Sequence, residues 1–133
     1  MPRSRPSVFV LVGLLGILGV LAGACAGNGD AAAPRADVAA ADFADADVVL
    51  TAGDMFYEGA PASLEAGTHV IGLDNQGRAP HDVVFDRGIG QVAYADGGAQ
   101  AAGEVTLEAG DYVVYCSIPG HRQAGMEFDL TVE

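Results

Sequence analysis

From Val48 onward the apolar residues fall into short runs: DVVLTA, HVIGL, HDVVF, EVTL, DYVVYC and EFDLTV. Their Val, Ile, Leu, Phe and Tyr content suits strands, and none is long enough for an amphipathic helix. Between them lie EAGT, NQGRAP, DGG and EAGD, where Gly, Pro, Asn and Asp interrupt the pattern and favour turns. MFYEG and PASLEAG add two further strand candidates. Short strands and turns at this regular spacing predict an all-β sandwich or small barrel of about seven or eight strands. With no tryptophan in the chain, its core must rest on Val, Leu, Ile, Phe and Tyr.

The upstream pattern is different. Arg3 and Arg5 precede an unbroken apolar run over residues 8–21, followed by small residues. That run falls short of the roughly twenty residues that span a bilayer, and no stop-transfer pattern follows it. It predicts an export signal over residues 1–24. LAGAC, ending at Cys25, resembles the lipobox of bacterial and archaeal lipoproteins, which implies a lipid on Cys25 and membrane attachment through it. AGA in the same stretch also satisfies the ordinary rule for a cut after Ala24. Either way the mature chain is expected outside the cytoplasm, in the periplasm or on the outer face of the cell membrane. Residues 25–47, rich in Ala and Asp, read as a tether. A weak helix in its Ala-rich part would let Phe43 dock on the domain over residues 48–133.

Charge narrows the partners. All eighteen acidic residues lie beyond the signal, against four arginines there and no lysine, for a formal charge of −14 over residues 25–133. Nucleic acid is excluded as a partner on these grounds, while solubility and attraction to basic surfaces are favoured.

The candidate chemistry is concentrated in YCSIPGHRQAGM, residues 115–126. Cys116 ends an apolar strand, far from Cys25 at the processing site, so a disulfide between the two is disfavoured, and Cys116 reads as a protected thiol: inert core or metal ligand. His121 and Met126 follow at equal spacing, with Pro119, Gly120 and Gly125 allowing the loop to fold back. His81, after the NQGRAP turn, is the candidate fourth group. Two imidazoles, a thiolate and a thioether form the donor set of a blue-copper centre, whereas zinc gains little from a thioether. The other candidates read more plainly: His69 as a surface strand residue, Met55 as core or loop packing, Asp96 as part of a turn, and Tyr112 and Tyr115 as packing beside Cys116.

NQGRAPHDVVF and YVVYCSIPGHRQAGM together resemble the two copper-ligand segments of cupredoxins, the blue copper proteins that include plastocyanin, azurin, rusticyanin and sulfocyanin. The resemblance covers about residues 48–133 and implies a Greek-key β-sandwich binding one copper ion. By it, His81, Cys116 and His121 are the strong ligands and Met126 the weak axial one. The Cys-x4-His-x4-Met spacing is similar to the rusticyanin and sulfocyanin type of loop. Asp82 departs from plastocyanin and azurin, where an asparagine after the first histidine ties the ligand loops together; an ionised carboxylate there would lower the potential. The implied function is single-electron transfer by a monomer between redox partner proteins that dock near His121; Ile118, Pro119 and Ala124 read either as an apolar rim to that docking site or as packing of the loop itself. Enzymatic activity is not expected, because a catalytic copper needs more histidines than the three present. The competing role is extracytoplasmic copper storage or delivery.

Overall fold

The computed structural model describes residues 38–133. The export segment, Cys25 and the first part of the tether lie outside the described residues. Ten strands follow in chain order: β1 (Val38–Ala40), β2 (Val48–Gly53), β3 (Phe56–Glu58), β4 (Ser63–Leu64), β5 (Gly67–Asn75), β6 (His81–Phe85), β7 (Gly90–Ala95), β8 (Gln100–Leu107), β9 (Gly110–Tyr115) and β10 (Glu127–Val132). They form two five-stranded sheets, ordered β1-β8-β5-β2-β3 and β4-β10-β9-β6-β7. This is the β-sandwich expected, with ten strands against the seven or eight read from the pattern; β1 and β7 lie outside the eight candidate runs.

Both additional strands have physical reasons to escape that pattern. In β7 the pairing with β6 slips between Val83 and Val84, so that Val92 and Ala93, adjacent in sequence, are both buried. A bulge of this kind breaks the period-two signal. Strand β1 is Ala-rich and short, and its place at the sheet edge comes from antiparallel pairing with β8, Val38 opposite Val105. The sandwich therefore begins ahead of Val48. The helix considered for this region is a single 3-10 turn, Phe43–Asp45, where Ala44 N donates to Asp42 Oδ1 at 3.0 Å. Phe43 does dock: a methyl group on Gly72 would stand 2.9 Å from its ring.

Alternation explains the core. Tyr112, Val114 and Cys116 point inward from β9 and its extension, and Met126, Leu130 and Val132 do so from β10 and the residue before it. From the facing sheet come Leu50, Ala52, Ile71, Leu73, Val105 and Leu107, all buried. Each such Leu, Ile or Val side chain contributes about 1.5–3 kcal/mol on leaving water. Gly103 lets the layers approach closely, since a Cβ there would collide with the Val92 carbonyl oxygen at 2.0 Å. The inward row of β9 and β10 ends, at one pole of the sandwich, in Cys116 and Met126.

Candidate metal centre

Register brings the site residues together. β9 and β10 pair antiparallel with Tyr115 opposite Glu127, and one step further Cys116 N donates to the Met126 carbonyl at 3.1 Å. On the other side β6 pairs with β9, Val84 opposite Tyr115, so continuing the register sets Asp82 across from Ser117 and His81 beyond it. Between Cys116 and Met126 the chain turns at Pro119 and Gly120, the latter at φ +89°. It then makes a 3-10 turn over Arg122–Ala124 and bends again at Gly125, φ +99°. Both glycines hold the left-handed conformation that costs other residues strain. Met126 N donates to the His121 carbonyl at 3.1 Å, closing the loop on itself.

The result is a tight triangle of donor atoms. His121 Nδ1 lies 3.2 Å from His81 Nδ1 and 3.4 Å from Cys116 Sγ, and Cys116 Sγ lies 3.9 Å from His81 Nδ1. A point equidistant from the three is about 2 Å from each, the range of first-row metal–nitrogen bonds. Among the described residues, these three form the one cluster of His, Cys or acidic groups with ligand spacing. His81, Cys116 and Met126 are fully buried, and His121 keeps 5% of its surface. Burial, then the neighbouring His121, holds the His81 imidazole below its usual range. Burial pushes the Cys116 thiol up, with the Asp82 and Ile118 amides pulling the other way. A neutral imidazole and a thiol that has yet to lose its proton are the groups a cation reorganises when it binds. The donor set therefore fits copper in both number and softness.

A polar frame surrounds the triangle. Asp82, 2% exposed, accepts hydrogen bonds at Oδ1 from Ser117 N (2.7 Å) and at Oδ2 from Ser117 Oγ and Gln91 Nε2. This carboxylate thus ties the strand bearing His81 to the residue after Cys116. Tyr57, from the opposite sheet, donates its hydroxyl to the Asp82 carbonyl and packs edge-on against Phe128. Asn75, buried at the end of β5, donates from Nδ2 to the carbonyls of Ala79 and Ala95 (both 2.9 Å) and accepts from Gly77 N at 3.0 Å. It pins the loop that delivers His81. None of Tyr57, Asn75, Gln91 and Ser117 carries a signal of its own in the sequence: Tyr57, Asn75 and Ser117 lie within MFYEG, NQGRAP and YCSIPGHRQAGM, and Gln91 lies in none of the stretches quoted above. Asn75→Ala leaves two carbonyls and an amide without their partner. A loss of about 2 kcal/mol in stability is expected, read as a lower denaturant midpoint at unchanged slope.

Other expectations resolve as follows. His69 is a strand residue whose Nε2 donates to the Glu65 carbonyl at 2.8 Å. Met55, 41% exposed at the β2–β3 turn, is not part of the core, because the two-residue turn leaves its side chain no core to reach. Tyr112 packs against Phe85, while Tyr115 carries the Arg122 guanidinium 4.1 Å over its ring. Ile118 is half-buried against the core, leaving Pro119 and Ala124 as exposed apolar residues of the proposed rim.

Residues 44–133 match the family described as copper binding proteins, plastocyanin/azurin family. Comparison with curated proteins gives no match. Among solved structures, auracyanin B superposes with a TM-score of 0.57 at 20% identity, over 74% of this chain and 95% of that one. Auracyanin A, titled a "blue" copper protein, from the green thermophilic photosynthetic bacterium Chloroflexus aurantiacus, gives 0.53 at 18% identity, over 65% and 97%. Dithionite-reduced auracyanin from the photosynthetic bacterium Roseiflexus castenholzii gives 0.52 at 18%, over 64% and 94%. At these identities the likeness is one of fold.

Proposed function

Because this chain belongs to the plastocyanin/azurin family of copper-binding proteins, we propose that it is an exported, mononuclear blue-copper protein that carries single electrons between redox partner proteins. The observation that carries the reading is the convergence of His81 Nδ1, His121 Nδ1 and Cys116 Sγ in one buried cluster. Copper supplies the one-electron couple, alternating between Cu(I) and Cu(II). The residues of the chain hold that couple still. In this reading His81, His121 and Cys116 would hold the ion strongly and Met126 would be the weak fourth ligand.

Each donor is fixed independently of the metal: His81 by the Asn75-pinned loop, Cys116 by strand pairing and the Asp82–Ser117 tie, His121 and Met126 by the closed loop between β9 and β10. Donors that cannot relax toward the preference of either oxidation state keep the rearrangement on electron transfer small. Burial excludes water from the open positions. His121 alone of the four retains surface, which supports docking of the partner over its loop. Full burial of the others disfavours the exchangeable sites suited to storage or delivery.

Export and a lipid on Cys25 belong to this proposal on the strength of the N-terminal sequence, the paired arginines, the apolar run and LAGAC. Such an anchor would place the carrier on the outer face of the membrane.

Addition of one equivalent of Cu(II) is expected to give an intense thiolate-to-copper band and a narrow-hyperfine paramagnetic resonance spectrum. Both should vanish on reduction, return on reoxidation, and respond within seconds to a soluble one-electron redox protein. A colourless adduct, or one with only ordinary tetragonal copper, would overturn the proposal.

A further inference from the structure

His81 turns Nδ1 toward Cys116 and His121, so a metal held there leaves the ring proton on Nε2. That nitrogen is buried and has no hydrogen-bond partner among the described residues. A buried N–H left unpaired is costly, and metal-ligating histidines almost always give theirs to a carboxylate, a carbonyl or a water.

Gly77 marks what Nε2 faces. A Cβ on Gly77 would stand 3.1 Å from His81 Nε2, 2.9 Å from Asp54 Oδ1 and 3.2 Å from Asn75 Oδ1. Across a residue without a side chain, the Asp54 carboxylate and the ring nitrogen are thus within about 6 Å, the reach of one bridging water. Asn75 is less able to serve, since its oxygen holds Gly77 N and its amide holds two carbonyls. Asp54 sits in the exposed turn between β2 and β3, accepts only Arg78 N (3.2 Å), and meets the 95% exposed Arg78 guanidinium at a loose 3.7 Å. It is free to turn inward.

We propose that Asp54 is a positioning residue for the copper centre: its carboxylate takes the His81 Nε2 proton in a hydrogen bond, directly or through one water, and so orients the ring and raises the basicity of Nδ1. The inference rests on His81 being a ligand. A more basic imidazole favours the oxidised ion, so removing the carboxylate raises the reduction potential.

Four variants test it. Asp54→Asn removes the charge and Asp54→Ala the acceptor. In Gly77→Ala a Cβ 2.9 Å from Oδ1 and 3.1 Å from Nε2 takes up the space between carboxylate and ring, without backbone strain. Asp74→Asn is the control, a half-buried carboxylate next to Asn75 in β5 that, among the described residues, accepts from the Gln76 and Gln100 side chains. Asp54→Asn, Asp54→Ala and Gly77→Ala are expected to shift the reduction equilibrium toward Cu(I) by about tenfold, 59 mV for one electron, and Asp74→Asn by about twofold or less. The His81 Nε2–H resonance, followed by NMR in the metal-free and Cu(I) proteins, should exchange slowly in the wild type and rapidly in Asp54→Ala. Equal potential shifts in Asp54→Asn and Asp74→Asn, or unchanged exchange in Asp54→Ala, would sink the inference while leaving the blue spectrum, and with it the proposed function, intact.

Discussion

Replacing Cys116 by serine abolishes the intense visible band of the copper-loaded protein, lowering its absorption more than tenfold by order of magnitude, and leaves the sandwich folded. The colour of such a centre arises from charge transfer out of a thiolate, and Cys116 is the only cysteine among the described residues. Its sulfur stands within 3.4 and 3.9 Å of the two imidazole nitrogens. A hydroxyl at that point is a harder and less readily ionised donor, and its bond to the metal would lie outside the strong thiolate absorption. Folding should survive, because a buried hydroxyl in place of the thiol costs about 1–3 kcal/mol against the 5–15 kcal/mol of a typical domain. Moreover, the strand pairing that places residue 116 runs through its backbone, Cys116 N to the Met126 carbonyl. Absorption and far-ultraviolet circular dichroism on the same samples check both halves. A variant that stays coloured would overturn the ligand assignment.

How much of this was legible beforehand depended on whether the signal was local. The β9–β10 hairpin was readable because inward residues alternate without a break from Tyr112 to Cys116 and resume at Met126, with Pro119, Gly120 and Gly125 between them. The three donors of that loop were therefore visible as a unit. His81 was legible more weakly, as a histidine after a turn, and needed the β6–β9 register to join them. β7 was hidden by its bulge and β1 by alanines whose only strand signal is a neighbour's backbone. The frame was the least legible part. Asn75 acts on Ala95 and Tyr57 on Asp82, contacts separated by 20 and 25 residues, and an amide or phenol carries no mark of what it will meet after folding.

Asp82 lies between these cases, since its identity was conspicuous while its role depended on where it pointed. A carboxylate turned to solvent would neither tie the loops nor weigh on the metal. Asp82 is buried, and its two oxygens accept from Ser117 N, Ser117 Oγ and Gln91 Nε2, so its acceptor sites are met away from water. It does the tying expected of an amide, and sets a carboxylate on the residue after His81 against the residue after Cys116. Asp82→Asn separates the two roles. The amide oxygen can still accept from Ser117 N, and the Ser117 hydroxyl can rotate to accept from the new NH2, so the tie persists while the charge is lost. The reduction equilibrium should then move toward Cu(I) by about tenfold or more, each tenfold being 59 mV for a one-electron couple, because the oxidised ion loses the stabilisation of a nearby anion. Asp82→Ala should show the same rise together with a stability loss of about 2 kcal/mol, since Ser117 then has no partner across the strand gap. Redox titration at fixed pH and ionic strength, paired with denaturant unfolding, distinguishes them. An Asp82→Asn protein whose potential matches the wild type would mean that the copper does not feel this charge, and that the carboxylate serves the strands alone.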